Sequence, residues 1–304
     1  MAAEQRAAAA GTDGVEAEVA GVAAVVVNYN ARDHLLDCVR SLRAEGVQEV
    51  VVVDNASTDG SGPALAASDP DAVWLATGAN IGFGAAANRG AARTSAPLLL
   101  VCNPDLVVEP GAVRALAATV RRDPGLALVG ARIESPAGAV YPSPRRFPGL
   151  TEAAGHAFLD LLGVDNVFTR RYRMLDDDRS RPATDVDWVS GSCFMARRAT
   201  WQQLGGFDEA YFMFAEDVDL CWRAGQSGWR VGFEPAARVT HVQGVSVDQH
   251  PYRMLVAHHR SILRFYRRTA EGWRRLLAPV VAAALAVRLV AACGHRAAQG
   301  RRGR

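Results

Sequence analysis

Three acidic residues stand close together in the segment FMFAEDVDLCWR, which covers residues 212–223. They are Glu216, Asp217 and Asp219, and an apolar stretch follows them. A carboxylate at the entrance to an apolar segment is costly unless it is bonded or has a chemical role. If a helix begins near Ala215, Glu216 and Asp219 share one face, and Asp217 lies about 100° around the axis. The three acids therefore have different roles, such as general base, helix cap or ion-pair partner.

The elements that must position these acids begin with four apolar, β-branched segments, which predict buried strands. They are residues 22–30, 49–55, 72–77 and 97–103. Helical segments separate them, and one spans about Asp33 to Glu45. This alternation predicts an α/β fold with a mostly parallel sheet flanked by helices. All four segments end in polar loops, so we expect a ligand site at that edge of the sheet.

The chain after residue 133 has a mixed pattern. We expect a helix, a polar mobile segment, a strand–turn–strand unit and two short strands, over residues 151–163, 170–182, 186–198 and 229–242. From about His250 onward the sequence predicts basic helices.

Charge is distributed unevenly along the 304 residues. Residues 252–304 contain twelve arginines and one acid, and the remainder contains 22 arginines and 31 acids, so a +11 end piece offsets −9 elsewhere. A basic end piece is typical of a surface that meets phosphates or anionic lipid. No base-stacking aromatic motif accompanies the charge, which disfavours nucleic acid as a partner. Five scattered cysteines without a CxxC motif indicate a reducing compartment and no structural zinc.

The two termini differ in character. Residues 1–20 lack the sustained apolar core of a signal peptide, and we expect a loose, disordered tail there. Residues 276–293 form an apolar run that contains Pro279 and Arg288. A central arginine costs about 2.5–3.5 kcal/mol on membrane-insertion scales. We therefore expect an interfacial or protein-packed helix rather than a spanning one.

Two stretches near the strand ends, around Gly82 and around Asp54, allow more than one interpretation. Residues 82–87 match the dinucleotide fingerprint GxGxxG/A, and Asp105 follows 18 residues later. That fingerprint belongs in the first strand–helix turn, which here has no glycine, so a nicotinamide-dependent dehydrogenase is disfavoured. The alternatives are close packing of a helix on the sheet or an anion at the helix start. Asp54 ends a strand and could either bind a base or ribose or form an Asx turn.

Several stretches occur together and in a characteristic order. They read VVVNYN, VVVDNASTDGS, NIGFGAAANRG, NPD, VSGSCFMARR, GGFDEAYFMFAEDVDLCWR and THVQGVSV, and they cover roughly residues 22–247. In this order they resemble the inverting family 2 glycosyltransferases of the GT-A fold. The VYPSPRRFP and DWVSGSCFMARR stretches are most similar to rhamnosyltransferases that move L-rhamnose from dTDP-rhamnose to N-acetylglucosaminyl-diphospho-polyprenol.

The resemblance implies a nucleotide-sugar donor site and a divalent metal. Donor-binding roles would fall to Asn28, Asp54, Asn55, Asn80, Gly82, Asn88 and Asn103. Asp105 and His241 would hold Mg²⁺ or Mn²⁺ on the donor diphosphate. Family members usually carry a DxD-type motif, and Asn103 replaces its first carboxylate here, so weaker metal binding is expected. The alternatives are a proline-containing turn at NPD and a structural His241.

The resemblance also implies an acceptor site. Asp217, the second member of the family's ED pair, would be the general base. Glu216 would bind the acceptor sugar or orient its partner, and Asp219 would be structural, for example paired with Arg223. Further acceptor contacts would come from Trp188, Gly191, Ser192, His259 and Arg260. Trp188 could equally be a core residue.

The expected protein is a transferase with three parts. A GT-A domain covers residues 21–248, with a donor half to about 133 and an acceptor half from about 134, and a membrane-associating extension covers residues 249–304. We expect a cytoplasmic protein held peripherally at the inner face of the cell membrane. The alternatives are another nucleotide-sugar transferase, galactofuranosyl or hexosaminyl, or a catalytically silent sugar-nucleotide-binding scaffold.

Overall fold

The computed structural model describes residues 18–147, 149, 166–175, 180–242 and 249–302. Its strands are β1 (Val22–Asn28), β2 (Glu49–Asp54), β3 (Val73–Ala76), β4 (Leu98–Cys102), β5 (Leu106–Val108), β6 (Leu126–Glu134), β7 (Val140–Tyr141), β8 (Ala183–Val186), β9 (Cys193–Arg197) and β10 (Arg230–His241). Its helices are α1 (Arg32–Ala44), α2 (Ser61–Ser68), α3 (Phe83–Ala91), α4 (Ala112–Arg122), α5 (Val167–Tyr172), α6 (Arg198–Leu204), α7 (Glu216–Gln226), α8 (Pro251–Thr269) and α9 (Ala278–Arg302). A 3₁₀ helix (Gly272–Leu277) precedes α9. The four predicted strands and the first predicted helix are confirmed to within two residues.

The strands form one sheet in the order β3-β2-β1-β4-β9-β6-β10-β5, with β7 beside β6 and β8 beside β10. Strands β1 to β4 are parallel, and β6 and β10 run in the same direction. Strand β9 is antiparallel to both β4 and β6. The expected α/β fold with a mostly parallel central sheet is therefore confirmed, and the polar loops after β1, β2, β3 and β4 meet at one edge.

Helices cover both faces of the sheet. One buried cluster joins the sheet to α1 and α4 and includes Leu35 and Leu116. The other joins it to α3, α6 and α7 and includes Phe83, Trp201 and Leu220. Because both faces are buried, the central strands read as continuous apolar runs rather than as alternating patterns.

The glycines of the α3 segment permit close packing. A Cβ on Gly90 would lie 2.4 Å from a methyl group of Val25 and 2.8 Å from one of Val53. Gly82 has a φ of +91° and approaches the Phe212 carbonyl so closely that a Cβ would lie 2.3 Å from that oxygen. The glycine pattern is thus explained by helix-to-sheet packing. It follows β3, whereas the dinucleotide fingerprint follows the first strand.

Three expectations need correction. Residues 229–242, expected as two short strands, form the single strand β10, which is irregular between Glu234 and Arg238. The tail expected over residues 1–20 ends with three ordered residues, and Val19 is buried in the core. Within residues 170–182, the segment up to Tyr172 belongs to α5. The helix expected over residues 151–163 lies outside the described residues.

The C-terminal helices stand apart from the sheet. Helix α9 packs against α8, and the stretch Gly272–Ala298 is long and apolar enough to cross a membrane. No residue in the most apolar part of this stretch is fully buried among the described residues. Trp273, Leu276 and Val290 are among its most exposed apolar side chains. Helix α9 therefore packs on α8 along one side, and its other side exposes apolar side chains such as Val287 and Val290.

Candidate active site

A cavity of about 500 Å³ opens at the carboxyl edge of the sheet, between the strand ends, the start of α7 and helix α8. Many of the residues expected to bind substrates or metal line this cavity. They are Asn55, Asn80, Gly82, Asn103, Asp105, Trp188, Gly191, Ser192, Glu216, Asp217 and His241. The fold thus gathers residues from both halves of the sequence around one space.

Asp217 is anchored where α7 begins. The preceding residues Phe214 and Ala215 have φ values of +69° and +62°, a conformation that side chains other than glycine adopt rarely. This strained turn brings the first residues of the helix to the cavity wall. Asp217 Oδ2 accepts a hydrogen bond of 2.8 Å from the Gly191 amide, and its Oδ1 accepts one of 2.8 Å from the Val218 amide. The half-buried carboxylate is therefore held in one orientation beside the cavity.

Gly191 is required for this arrangement. A Cβ there would lie 3.1 Å from Asp217 Cβ and 3.3 Å from its carboxylate. Any larger residue would push Asp217 away from the amide that binds it. The Gly191 amide, predicted to bind the acceptor, thus donates to Asp217 in this structure, and its contact with the acceptor stays a prediction.

The surroundings of Glu216 and Asp217 act differently on the pKa values of the two carboxyl groups. Burial raises the pKa of Glu216 to about 8, and the neighbouring Asp217 charge adds to the rise. Burial also raises the pKa of Asp217, but the amides of Gly191 and Val218 and the Arg145 guanidinium oppose that rise. Glu216 Oε2 is buried and has no hydrogen-bond partner among the described residues. A pKa of about 8 keeps a proton on Glu216 at neutral pH, whereas the two amides and Arg145 favour the ionised form of Asp217.

Asp219 has the structural role that the helical spacing predicted. It is fully buried and pairs with Arg223 Nε at 2.7 Å, one helical turn along α7. A second arginine, Arg268 of α8, lies 3.1 Å from its other oxygen. Its charge is thus compensated within the protein.

A carboxylate and an imidazole that line the cavity are close to each other. Asp105 Oδ1 lies 3.0 Å from His241 Nε2, and both side chains are buried. The Asn103 amide lies 3.4 Å from the same nitrogen. Adjacent ligands of an octahedral ion with bonds of about 2.1 Å are about 3.0 Å apart. The Asp105–His241 spacing therefore fits two neighbouring ligands of Mg²⁺ or Mn²⁺, whose other positions a diphosphate and water would fill.

Three residues expected to bind the donor are instead engaged within the protein. Asn28 Nδ2 donates to Asp54 Oδ1 at 3.0 Å, and Asp54 Oδ2 accepts from the Ser57 amide at 3.0 Å. Asn88 bonds the amide and the carbonyl of Phe207, each at 2.9 Å. None of Asn28, Asp54 and Asn88 lines the cavity. Asp54 accordingly forms the Asx-type turn, and Asn88 ties α3 to the segment before α7.

The two α8 residues expected to bind the acceptor also lie away from the cavity. His259 is buried, with Nδ1 2.7 Å from the Leu255 carbonyl and Nε2 3.2 Å from Arg288. Arg260 lines a separate groove along α8. His258 and Arg253 line the cavity instead. His258 lies about 100° around the helix from His259, whereas Arg253 lies on the face of Arg260, two turns nearer the start of α8. A contact of His259 or Arg260 with the acceptor stays a prediction.

Arg145 is a cavity residue that the role assignment missed. Its guanidinium lies over the rings of Trp188, Tyr141 and Tyr172, at 4.7, 5.1 and 5.6 Å from their centroids. Trp188 is buried beneath it and donates from Nε1 to the Arg146 carbonyl at 3.1 Å. The VYPSPRRFP stretch, which contains Arg145, was the signal that could have identified it.

Two solved structures with this fold are sugar-nucleotide-dependent enzymes. The mannosyltransferase PcManGT from Pyrobaculum calidifontis, in complex with GDP-Man and Mn²⁺, matches with a TM-score of 0.55 at 17% identity, over 90% of this chain and 75% of that one. GalNAc-T7 with UDP, GalNAc and Mn²⁺ matches with a TM-score of 0.54 at 15% identity, over 72% of this chain and 43% of that one. The chain thus has the GT-A fold.

The sequence places the chain more narrowly. It belongs to the family described as glycosyltransferase like family 2, which matches residues 20–256. It is 37% identical over 265 residues to the N-acetylglucosaminyl-diphospho-decaprenol L-rhamnosyltransferase of Mycobacterium tuberculosis, covering 83% of this chain and 85% of that protein. The resemblance stated from the motifs is confirmed at the level of the family, and the chain is a glycosyltransferase.

Proposed function

We propose that this glycosyltransferase transfers L-rhamnose from dTDP-rhamnose to a polyprenyl-diphosphate-linked N-acetylglucosamine. Asp217 carries the proposal: its carboxylate, held by the Gly191 amide, lines the same cavity as the Asp105–His241 pair. The rhamnosyltransferase from Mycobacterium tuberculosis, similar along most of both chains, supports these substrates.

The reaction is an in-line displacement with inversion at the anomeric carbon. An acceptor hydroxyl attacks that carbon, its proton passes to Asp217, and the bond to the departing nucleoside diphosphate breaks. One carboxylate is sufficient because no covalent glycosyl-enzyme forms. Glu216, protonated at neutral pH, donates a hydrogen bond to the acceptor sugar from its unpartnered carboxyl.

Asp105 and His241 would hold the divalent ion, with Asn103 as a neutral neighbour. Such an ion neutralises charge on the leaving diphosphate. One carboxylate in place of the usual two lowers the affinity for the ion. We therefore expect the enzyme to need a higher concentration of Mg²⁺ or Mn²⁺ for activity than a relative with two carboxylates would.

The test is incubation of the full chain with a panel of nucleotide sugars and a water-soluble, short-chain polyprenyl-diphosphate-N-acetylglucosamine. Products are identified by mass. We expect a deoxyhexose addition with dTDP-rhamnose alone. Transfer of galactofuranose or of a hexosamine, and not of rhamnose, would show that the enzyme uses a different donor sugar. Donor binding without any transfer, together with full cellular function of an Asp217→Asn variant, would favour the scaffold.

We also propose that α8 and α9 hold the enzyme on an anionic membrane surface at its cytoplasmic side. Arg253, Arg260 and Arg267 recur every seven residues along α8, a row about 21 Å long. None of them forms an ion pair with a described residue, whereas Arg264 and Arg268 are bound to Asp208. The row lies along a groove with apolar walls that borders the active-site cavity, and Arg253 lines both.

Membrane binding is tested by sedimentation with vesicles of phosphatidylcholine, with and without phosphatidylglycerol. A double variant, Arg260→Gln with Arg267→Gln, is expected to bind the anionic vesicles less well, since each arginine near such a surface contributes about 1 kcal/mol. Arg89→Gln with Arg93→Gln removes the same charge from an exposed part of the catalytic domain and serves as the control. Equal binding of all three proteins would assign attachment to α9 alone.

A further inference from the structure

The cavity wall near Asp217 contains a fixed cation. The Arg145 guanidinium is enclosed by the rings of Tyr141, Tyr172 and Trp188. Arginine remains charged in this setting and is less strongly hydrated than lysine, so an aromatic enclosure suits it. Both Arg145 and Asp217 line the same cavity.

Several bonds hold this guanidinium in place. Its Nε donates to the Pro142 carbonyl at 2.8 Å, and Nη2 donates to the Tyr141 hydroxyl at 2.5 Å. The backbone of Arg145 also pairs with that of Trp188 in both directions, at 2.9 and 3.1 Å. Trp188 lies just before the Gly191 turn, so the chain that positions Arg145 also positions the amide that binds Asp217.

Arg145 and Asp217 attract each other without forming an ion pair. No carboxylate of the described residues is within ion-pair distance of Arg145, and Asp217 is the acid whose field acts on it. Charged or titratable side chains around Asp217 come from three other directions as well as from its own helix. They are Glu216 and Cys221 on α7, Arg145, Tyr172 on α5, and Arg253 and His258 on α8.

A general base at Asp217 must be ionised in surroundings that favour its protonated form, and the charge of Arg145 opposes that effect. Asp217 must be ionised before the acceptor hydroxyl arrives, yet its burial and the adjacent Glu216 both favour a proton on the pair. An opposite charge nearby favours the ionised form without occupying the carboxylate oxygens. A direct salt bridge would have engaged the oxygen that must accept the proton.

We propose that Arg145 is a positioning residue that holds Asp217 ionised and directed into the cavity. The caged guanidinium supplies a permanent positive field across the space where the acceptor hydroxyl reacts. This inference rests on the proposed role of Asp217 as general base and gives a function to the VYPSPRRFP loop.

The experiment measures kcat/KM against pH for wild type, Arg145→Gln and Arg145→Lys. In Arg145→Gln we expect the acidic limb to move to higher pH by about one unit, so that activity is lost at low pH and largely regained at high pH. Arg145→Lys keeps the charge and should show a smaller shift. Arg146→Gln removes the same charge from an exposed neighbouring side chain and should leave the limb unchanged.

Two measurements separate this role from other ones. Donor binding by Arg145→Gln, measured by titration with dTDP-rhamnose, should equal that of wild type at a temperature where unfolding curves show both proteins to be folded. A loss of activity that is equal at every pH, or a loss of donor affinity, would overturn the proposal and assign Arg145 to structure or to the diphosphate. Tyr141→Phe removes only the hydroxyl that binds Nη2 and should move the limb slightly in the same direction.

A full loss of activity in Asp217→Asn with no limb shift in Arg145→Gln would reject only the Arg145 proposal. Full activity of Asp217→Asn would instead reject the general base itself. The two failures are therefore distinguishable.

Discussion

Two sets of polar residues near the same edge of the sheet differ in whether they bond within the protein or line the cavity. Asn28, Asp54 and Asn88, from the first half of the chain, make hydrogen bonds within the protein and do not line the cavity, although Asn28 Oδ1 is buried without a partner among the described residues. Glu216 and Asp217, at the start of α7, retain oxygens that face the cavity, and burial raises the pKa of each. A polar residue after a strand is therefore only a candidate. It serves a ligand when the protein itself leaves part of its hydrogen-bonding capacity unused.

The largest expected effect is that of Asp217→Asn on transfer. The amide keeps the shape but cannot take a proton at neutral pH, so kcat should fall by roughly 10²- to 10⁴-fold. Donor affinity should remain unchanged, measured by titration with dTDP-rhamnose. The matched control is Asp185→Asn on the exposed strand β8. Activity near that of wild type in Asp217→Asn would show that Asp217 is not the general base.

The metal pair should give the next largest effect. His241→Ala is expected to weaken Mn²⁺ binding in the presence of dTDP on the order of 100-fold, because half of the protein's ligand set is lost. Titration calorimetry measures this directly, and His34→Ala on α1 removes an imidazole that is not at the cavity.

Asn103→Asp tests the same metal site, because it is expected to strengthen metal binding. It restores a second carboxylate beside Asp105 and should lower the Mn²⁺ concentration needed for half-maximal activity. An unchanged metal requirement in both variants would mean that the Asp105–His241 pair is structural.

Glu216 is expected to set the alkaline side of the pH profile. Its pKa of about 8 means that its proton, needed to bond the acceptor, is lost as the pH rises through that value. Activity should therefore decline above about pH 8, and Glu216→Gln, which keeps a donor, should lack the decline.

The same proton affects stability. The folded protein holds it more tightly than the unfolded chain, whose glutamate has a pKa near 4.5. The free energy of unfolding should thus fall as the pH rises from about 4.5 to about 8, and Glu216→Gln should not show this fall in denaturant titrations. An unaltered slope would indicate that Glu216 is already ionised in the folded state.

The smallest effect on catalysis is expected at Asn88. Asn88→Ala removes the bonds that join α3 to Phe207, so the free energy of unfolding should fall by about 1–3 kcal/mol. The KM for dTDP-rhamnose should change little at temperatures where the variant is folded. A large rise in KM without loss of stability would return Asn88 to the donor site.

The helical repeat in the sequence placed Asp219 one turn from Arg223 but did not show that Glu216 lines the cavity together with Asp217. A helix from about residue 215 places Asp217 away from the face shared by Glu216 and Asp219, and it brings Asp219 within one turn of Arg223. On α8 the repeat did not show which residues reach the cavity: His258 lines it and His259 does not, and Arg253 lines it although Arg260, on the same face, lies farther along the helix. Helical phase is reliable only where a second observation, such as the start of the helix, fixes it.

By itself, the sequence determined the strands, the common edge of their loops, the family and the uneven charge, because these depend on local propensity and short repeats. Only the tertiary structure decided that Gly191 binds Asp217, that Asp105 meets His241 and that Arg145 lies caged in the same cavity. Each of these contacts joins residues that are far apart in the chain. Local physical rules do not specify such distances, and the packing of the complete sheet and its helices does.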